Sequence, residues 1–407
     1  MDCILKGLIK MSSNKRRYWE IDPLYEKYPN ARYFFIVGGR STGKTYPTIK
    51  RAIMDAVDGK GVFAYIRRYK DSISQFDMQT LFGKHSEWIS DYTNGEYNKV
   101  TYWQGGVYLE RWSKDEETGE MFKEYKNPQP IGTVASISTW ETKKGGDFGG
   151  LYGGMTYIIL DEALSDGALY LSGEWKKFQN VISSFVRDRW EDSTRIVLLA
   201  NPVSKWRNPY FTNMGISTKM LREPGTTEIS YPDKNGNPVM STVFCYIAAV
   251  TNEKGEVIDV DPNRTNVYNK FFAFPNSEGT SKSIVMGFWE LADAASLPEA
   301  YINDSVSKKK FFFKASEEDI LQCEIMKFCQ TNRYYIYFSH ADEIPPEHWY
   351  FTLQPDLSHY AIIGFDTGHK LYKKFFEVYD TNAVFYEDNE IADAWHGFMH
   401  EANKYVA

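Results

Sequence analysis

The sequence predicts an α/β protein built on a mostly parallel sheet, and three stretches predict it. Phe34-Phe35-Ile36-Val37 is an apolar run that ends in a glycine-rich turn and passes into a helix-capable segment from Tyr46 to about Val57. Gly61-Val62-Phe63-Ala64-Tyr65-Ile66 is a strand soon after it, and Tyr157-Ile158-Ile159-Leu160 is a buried strand ending in Asp161-Glu162. Strand, tight turn, helix and strand in that order open a parallel sheet, because parallel neighbours need a crossover and a helix supplies it.

The turn carries the first chemistry. In Gly38-Gly39-Arg40-Ser41-Thr42-Gly43-Lys44-Thr45-Tyr46, residues Gly38, Gly43, Lys44 and Thr45 fit G-x-x-x-x-G-K-[ST], the phosphate-binding P-loop pattern. Glycines let the backbone turn sharply and bring N–H groups against phosphate oxygens. Lys44 reaches the β- and γ-phosphates, and the Thr45 hydroxyl ligates Mg²⁺. The following helix aims its positive dipole end at the same anion. Pro47 falls in its first turn, where proline is tolerated. A chance glycine-rich turn would lack the strand before and the helix after, so a nucleoside triphosphate is the expected ligand.

Four apolar residues followed by two acids make Tyr157–Glu162 a Walker B strand. Asp161 is expected to hold Mg²⁺ through its water shell, and Glu162 to polarise the water that attacks the γ-phosphate. That glutamate favours a hydrolase over a nucleotide kinase, whose acceptor needs no such base. Phe178, Val181, Ile182, Phe185 and Val186 recur at helical spacing, so 174–186 reads as an amphipathic helix ending in Arg187-Asp188-Arg189. Those arginines either complement the helix dipole or reach a neighbouring subunit's site. The buried strand from Thr194 ends in Asn201-Pro202, where Asn201 is either a γ-phosphate sensor or a turn former.

Composition narrows the class. With 407 residues the chain has room for two or three domains, and 43% apolar with 25% charged residues is ordinary for a globular protein. No apolar run is long enough to span a membrane, and the N-terminus lacks a convincing signal peptide. Cys3, Cys245, Cys323 and Cys329 lack metal-ligand spacing, which fits a reducing cytoplasm. Net charge is −7, but residues 1–70 carry +9 and residues 315–407 carry −10. The first end suits a polyanion and the last does not, although two differently solvated domains explain the asymmetry equally well.

Residues 1–32 read as a basic, partly helical lead-in. Arg67, Arg68 and Lys70 at a strand end suit a phosphate backbone, and equally a solvated terminus. Residues 100–138 read as antiparallel hairpins inserted in the sheet. Lys143 and Lys144 open a loop with six glycines in 145–154, either a polyanion sensor or a plain connector. Turn-rich 215–305, with Ser241–Ile247 as one of its strands, reads as a small linker domain.

Taken together, the loop 36–46, Tyr65–Lys70, Ile158–Glu162, Phe185–Arg189, and Ala200-Asn201-Pro202 followed by Asn208-Pro209-Tyr210-Phe211 resemble the genome-packaging ATPases of φ29-type tailed phages. These are short relatives of the terminase large subunits. The match is clearest over 33–211 and continues more loosely to the end.

The resemblance implies an N-terminal P-loop NTPase domain of RecA-like (ASCE) type over 1–220, a linker over 221–305 and a C-terminal RNase H-like α+β domain over 306–407. It implies a homomeric, pentameric ring on the procapsid portal that threads double-stranded DNA inward using ATP and Mg²⁺. The ring acts in the host cytoplasm, without a membrane, and is absent from the mature virion. Arg40 matches the family's P-loop arginine, and Arg187 is the expected trans-acting finger, ahead of Arg189. Arg67, Arg68 and Lys70 match the basic stretch near the DNA channel.

The family's short members lack a working nuclease centre. The candidate first strand here, Tyr334–Phe338, carries no acid, although Asp366, Glu377 and Asp380 remain possible ligands. A local basic face at Lys370, Lys373 and Lys374 suits a portal or a structural RNA. The competing readings are a helicase-like P-loop ATPase, a small-molecule kinase, and a nucleotide-gated assembly protein without turnover.

Overall fold

The computed structural model describes residues 19–39, 43–140, 154–165, 170–186, 194–203, 208–221, 224–247, 297, 301, 303–314, 320–364, 369–381 and 383–406. Arg40, Ser41, Thr42, Lys143, Lys144, Arg187, Arg189 and Asp366 lie outside them, as does most of the expected linker.

The larger sheet comprises β1 (Tyr33–Gly38), β2 (Val62–Arg67), β3 (Lys99–Trp103), β4 (Gly106–Lys114), β5 (Met121–Lys126), β6 (Gly132–Ser136), β7 (Met155–Asp161), β8 (Arg195–Ala200), β9 (Gly225–Pro232) and β10 (Pro238–Ile247). Its order is β3-β4-β6-β2-β7-β8-β1-β10-β9, with β5 on β4. From β6 across to β10 every neighbouring pair is parallel. The outer pairings, β4 on β6, β3 on β4 and β9 on β10, are antiparallel. Antiparallel edges on a parallel centre are what hairpins can supply, since they need no crossover.

Burial on both faces explains the near-continuous apolar strands. Phe35, Val37, Ile158, Leu160, Leu198 and Phe244 pack on one face with Phe178, Val181 and Phe185 of α5 (Glu174–Val186). Phe34, Ile36, Tyr157, Ile159, Leu199 and Val243 pack on the other. That face is covered by α1 (Asp22–Lys27), α2 (Thr45–Val57), α3 (Gln75–Gly83) and α4 (Ser86–Tyr92). Successive strand residues alternate between these two cores, the period-two rule of a pleated sheet.

One of the sequence expectations changes here and another holds. The strand at Ser241–Ile247, expected within a linker, lies in the larger sheet. It is part of β10, which runs parallel to β1 with Phe35 opposite Phe244 and Gly38 opposite Ile247. Its buried Val243, Phe244, Cys245 and Tyr246 gain more by extending the existing cores than a small isolated unit could offer. The antiparallel hairpins expected at 100–138 are present at one side of the sheet, where β6 pairs antiparallel with β4 and parallel with β2.

A second sheet joins β11 (Ser305–Lys314), β12 (Ile320–Phe328), β13 (Tyr334–Ala341), β14 (Tyr350–Thr352), β15 (Ala361–Ile363) and β16 (Val384–Tyr386) in the order β15-β14-β11-β12-β13-β16. The segment Tyr334–Phe338, expected to come first, is therefore the third strand of a β11–β12–β13 meander. The true first strand escapes an apolar scan because Lys308, Lys309 and Lys310 occupy its exposed half, before buried Phe311, Phe312 and Phe313. Phe313, Phe338 and Phe375 pack around Trp395, joining the sheet to α7 (Lys370–Tyr379) and α8 (Asn389–Val406); a short α6 (Phe211–Met214) belongs to the first unit. Among the described residues no helix is long and apolar enough to cross a membrane.

Candidate nucleotide site

Parallel strands gather their carboxyl ends along one edge, and the site lies there. β1 delivers the glycine loop, β7 delivers Asp161 and Glu162, and β8 lies between them and delivers Asn201. Gly43, Lys44, Thr45, Tyr46, Asp161, Glu162, Leu199, Ala200 and Asn201 line a cavity of about 430 Å³.

Gly43 has φ of 95°, in the left-handed region that a side chain would oppose. Lys44 is 7% exposed, and its ammonium donates to the carbonyls of Gly38 (2.7 Å) and Gly39 (3.0 Å) and to Asn201 Oδ1 (3.1 Å). A buried ammonium in contact with an amide at the end of β8 gives Asn201 a physical link to whatever Lys44 binds. The Thr45 hydroxyl lies 3.5 Å from Asp161 Oδ1. A hydroxyl and a carboxylate oxygen facing one cavity are the hard donors that Mg²⁺ takes, so these residues fit the ion.

Asp161 and Glu162 are closely held. Tyr65 on β2 donates to Asp161 Oδ2 at 2.5 Å. Burial and the neighbouring Asp161 carboxylate raise that phenol well above its ordinary value, so it stays a donor. Arg67 lies 2.9 Å from Glu162 Oε2 and 3.6 Å from Asp161 Oδ2. Glu162 itself has φ of 58°, uncommon for a residue with a side chain.

Arg68 corrects the sequence reading. A DNA-gripping arginine must reach solvent, yet this one is 6% exposed and its Nε donates to both carboxylate oxygens of Glu174 at 3.0 and 2.9 Å. Its other nitrogens donate to the carbonyls of Glu162 (3.0 Å) and Ala163 (2.6 Å). Glu174, at the start of α5, also accepts from the Tyr210 hydroxyl (2.6 Å) and the Leu171 N–H (2.8 Å). Arg68 thus ties the backbone after β7 to α5 and to Tyr210. Arg67 is likewise engaged by acids of the site, which leaves Lys70 as the exposed cation of the trio.

Reading the sequence missed these partnerships and one more. Tyr46 stacks on His85, with centroids 4.5 Å apart and planes at 15°. His85 Nδ1 accepts from the Trp88 indole at 3.2 Å. Burial, with Lys50 and Lys84 nearby, pushes the His85 pKa down to about 3. The unfolded chain therefore takes up this proton first, and stability present above about pH 6.5 falls as pH drops toward about 3. His85→Phe should flatten that slope relative to wild type, by up to ~1.4 kcal/mol per pH unit, in denaturant titrations at pH 7 and 5.

In the second unit, Glu377 pairs with Lys374 at 3.1 Å, and Asp380 caps the end of α7. Among the described residues no group of three or more His, Cys, Asp or Glu could hold a metal.

The fold is a mixed α/β fold on a large, mostly parallel sheet, with a glycine loop and two acids at its carboxyl edge. The chain is similar to phage DNA-packaging motors and to large-terminase ATPase domains. Against the bacteriophage Phi-29 viral genome packaging motor assembly it is 15% identical with a TM-score of 0.48, covering 95% of this chain and 99% of that one. Against the Phi-28 gp11 DNA packaging motor the values are 18% and 0.45, covering 95% and 98%. Against the large terminase ATPase domain of Thermus phage P74-26 they are 12% and 0.35, covering 66% and 92%. No family model matches, and no curated protein matches.

Proposed function

We propose that this chain is an ATP hydrolase that drives double-stranded DNA into a viral procapsid, working as a homomeric, pentameric ring at the portal in the host cytoplasm. The observation that carries the reading is the convergence of Lys44, Thr45, Asp161, Glu162 and Asn201 on one cavity. The placing of β8 between β1 and β7 supports an ASCE-type motor over a simple kinase, because it sets a sensing amide beside the loop lysine.

The residues divide the work. Lys44 exchanges its loop carbonyls for β- and γ-phosphate oxygens, and Asn201 reports on that exchange. Thr45 and Asp161 would hold Mg²⁺, which when bound would neutralise charge developing on the phosphates. Glu162 turns from Arg67 to orient the attacking water. Arg40 assists at the phosphates, and Arg187 completes a neighbour's site in trans. Lys44→Ala should abolish nucleotide binding by calorimetry while leaving the thermal unfolding midpoint close to that of wild type.

The pairing of β10 with β1 supports an ATPase unit that extends beyond the expected residue 220 to include Ile247. An RNase H-like second unit is supported by the β11–β12–β13 meander flanked by parallel β14 and β15. The first strand of that unit, Ser305–Lys314, carries lysines and no carboxylate, which favours a unit without nuclease chemistry. This unit meets the portal or a structural RNA, and the motor leaves before the virion matures. DNA is gripped by Lys70, Lys143 and Lys144.

The test is ATP turnover with and without duplex DNA and purified procapsids. Stimulation that falls steeply with added salt is expected, since phosphate contacts release counterions. Turnover indifferent to DNA at every salt concentration overturns the motor.

A further inference from the structure

Tyr46 is built differently from the rest of the cavity wall. Its neighbours Lys44 and Thr45 are tied to Asn201 and Asp161, the phosphate end of the site. Tyr46 instead rests on His85, at the junction of α3 and α4. His85 is fully buried, and its ring meets Trp88 edge-on at 5.9 Å and 86°. Lys50, one turn further along α2, lies over the Trp88 ring at 5.2 Å. A neutral imidazole under a tyrosine, braced by an indole, is a rigid stack with no charge in it. Tyr46 is nonetheless 39% exposed and lines the cavity, so one face is covered and surface remains open at the site.

An open aromatic face on a preorganised support is suited to a flat heteroaromatic ring. We propose that Tyr46, braced by His85 and Trp88, is the nucleobase subsite of this cavity, a stacking platform that favours purines over pyrimidines by overlap area. This rests on the nucleotide reading above and adds its base-recognising end. Stacking tolerates any base, so the platform sets affinity and purine preference without distinguishing adenine from guanine.

The test uses calorimetry on the full chain with Mg²⁺ and three ligands: ATP, CTP and inorganic tripolyphosphate. Wild type should prefer ATP to CTP. Tyr46→Ala should weaken ATP about tenfold, close the gap between ATP and CTP, and leave tripolyphosphate unchanged. Tyr46→Phe should retain the wild-type pattern, because the ring and not the hydroxyl carries the contact. Retained tripolyphosphate binding also reports that the Ala variant is folded. Equal loss of ATP and tripolyphosphate would mean that Tyr46 acts through the start of α2, and overturns the subsite. Unchanged ATP binding overturns it too, while the phosphate site stands. A wild type that binds none of the three removes the nucleotide reading and the subsite together.

Discussion

Glu162→Gln should bind ATP as wild type does and turn it over at least ~10²-fold more slowly, the usual worth of a positioned general base. The amide keeps the shape of the side chain and loses the charge that orients water. It also loses the ion pair to Arg67, 2.9 Å away, so the arginine should relax onto Asp161. Calorimetry for binding and phosphate release for turnover separate the two effects. Normal turnover in this variant would remove Glu162 from the chemistry. Arg67→Ala is the companion measurement: it frees Glu162 and leaves the phosphate loop untouched, so binding should persist while turnover changes.

Arg68→Ala should be the most destabilising single substitution at the site, by ~3–5 kcal/mol, because it strands a buried carboxylate. Glu174 is 1% exposed, and without Arg68 it keeps only the Tyr210 hydroxyl and the Leu171 N–H. The carbonyls of Glu162 and Ala163 lose a donor at the same time. Denaturant unfolding measures the loss. A second variant isolates its cause: Arg68→Ala with Glu174→Gln leaves no stranded charge and should recover part of the stability. Turnover should stay low in the double variant, since the backbone of Glu162 is no longer held in its left-handed conformation. An Arg68→Ala protein as stable as wild type would contradict the buried pair.

The parts legible in the sequence are those set by local pattern. The apolar run into Gly38–Thr45, the strand into Asp161-Glu162 and the 3.6-residue spacing of Phe178, Val181 and Phe185 each depend on neighbours within a few positions. Strand order does not. Nothing near Arg195–Ala200 says that it lies between β1 and β7, and nothing near Val243–Tyr246 says that it flanks β1. Those adjacencies follow from which crossovers bury most apolar surface, a property of the whole sheet.

The arginines at the end of β2 show the same limit at the scale of one residue. Consecutive strand positions face opposite ways. Arg67 therefore meets Glu162 and Asp161 while Arg68 meets Glu174, and a run of cations that reads as one basic patch serves acids in two separate places. A faint signal was present: a glutamate opening an otherwise apolar-faced helix at 174. By itself that residue reads as a complement to the helix dipole. His85 offered no signal, since its partner Tyr46 lies 39 positions away in sequence and only the fold stacks them.

The pairing of β10 with β1 has a mechanical meaning. Ile247, the last described residue of β10, is level with Gly38, where the glycine loop begins. Load arriving from the later part of the chain along β10 would run along the strand axis. Parallel strands resist such a pull in shear, with the ladder from Tyr33–Thr242 to Gly38–Ile247 strained together and not opened one rung at a time. The glycine loop that follows β1 and the end of β10 are thus anchored on adjacent cables, and tension on one is tension beside the other.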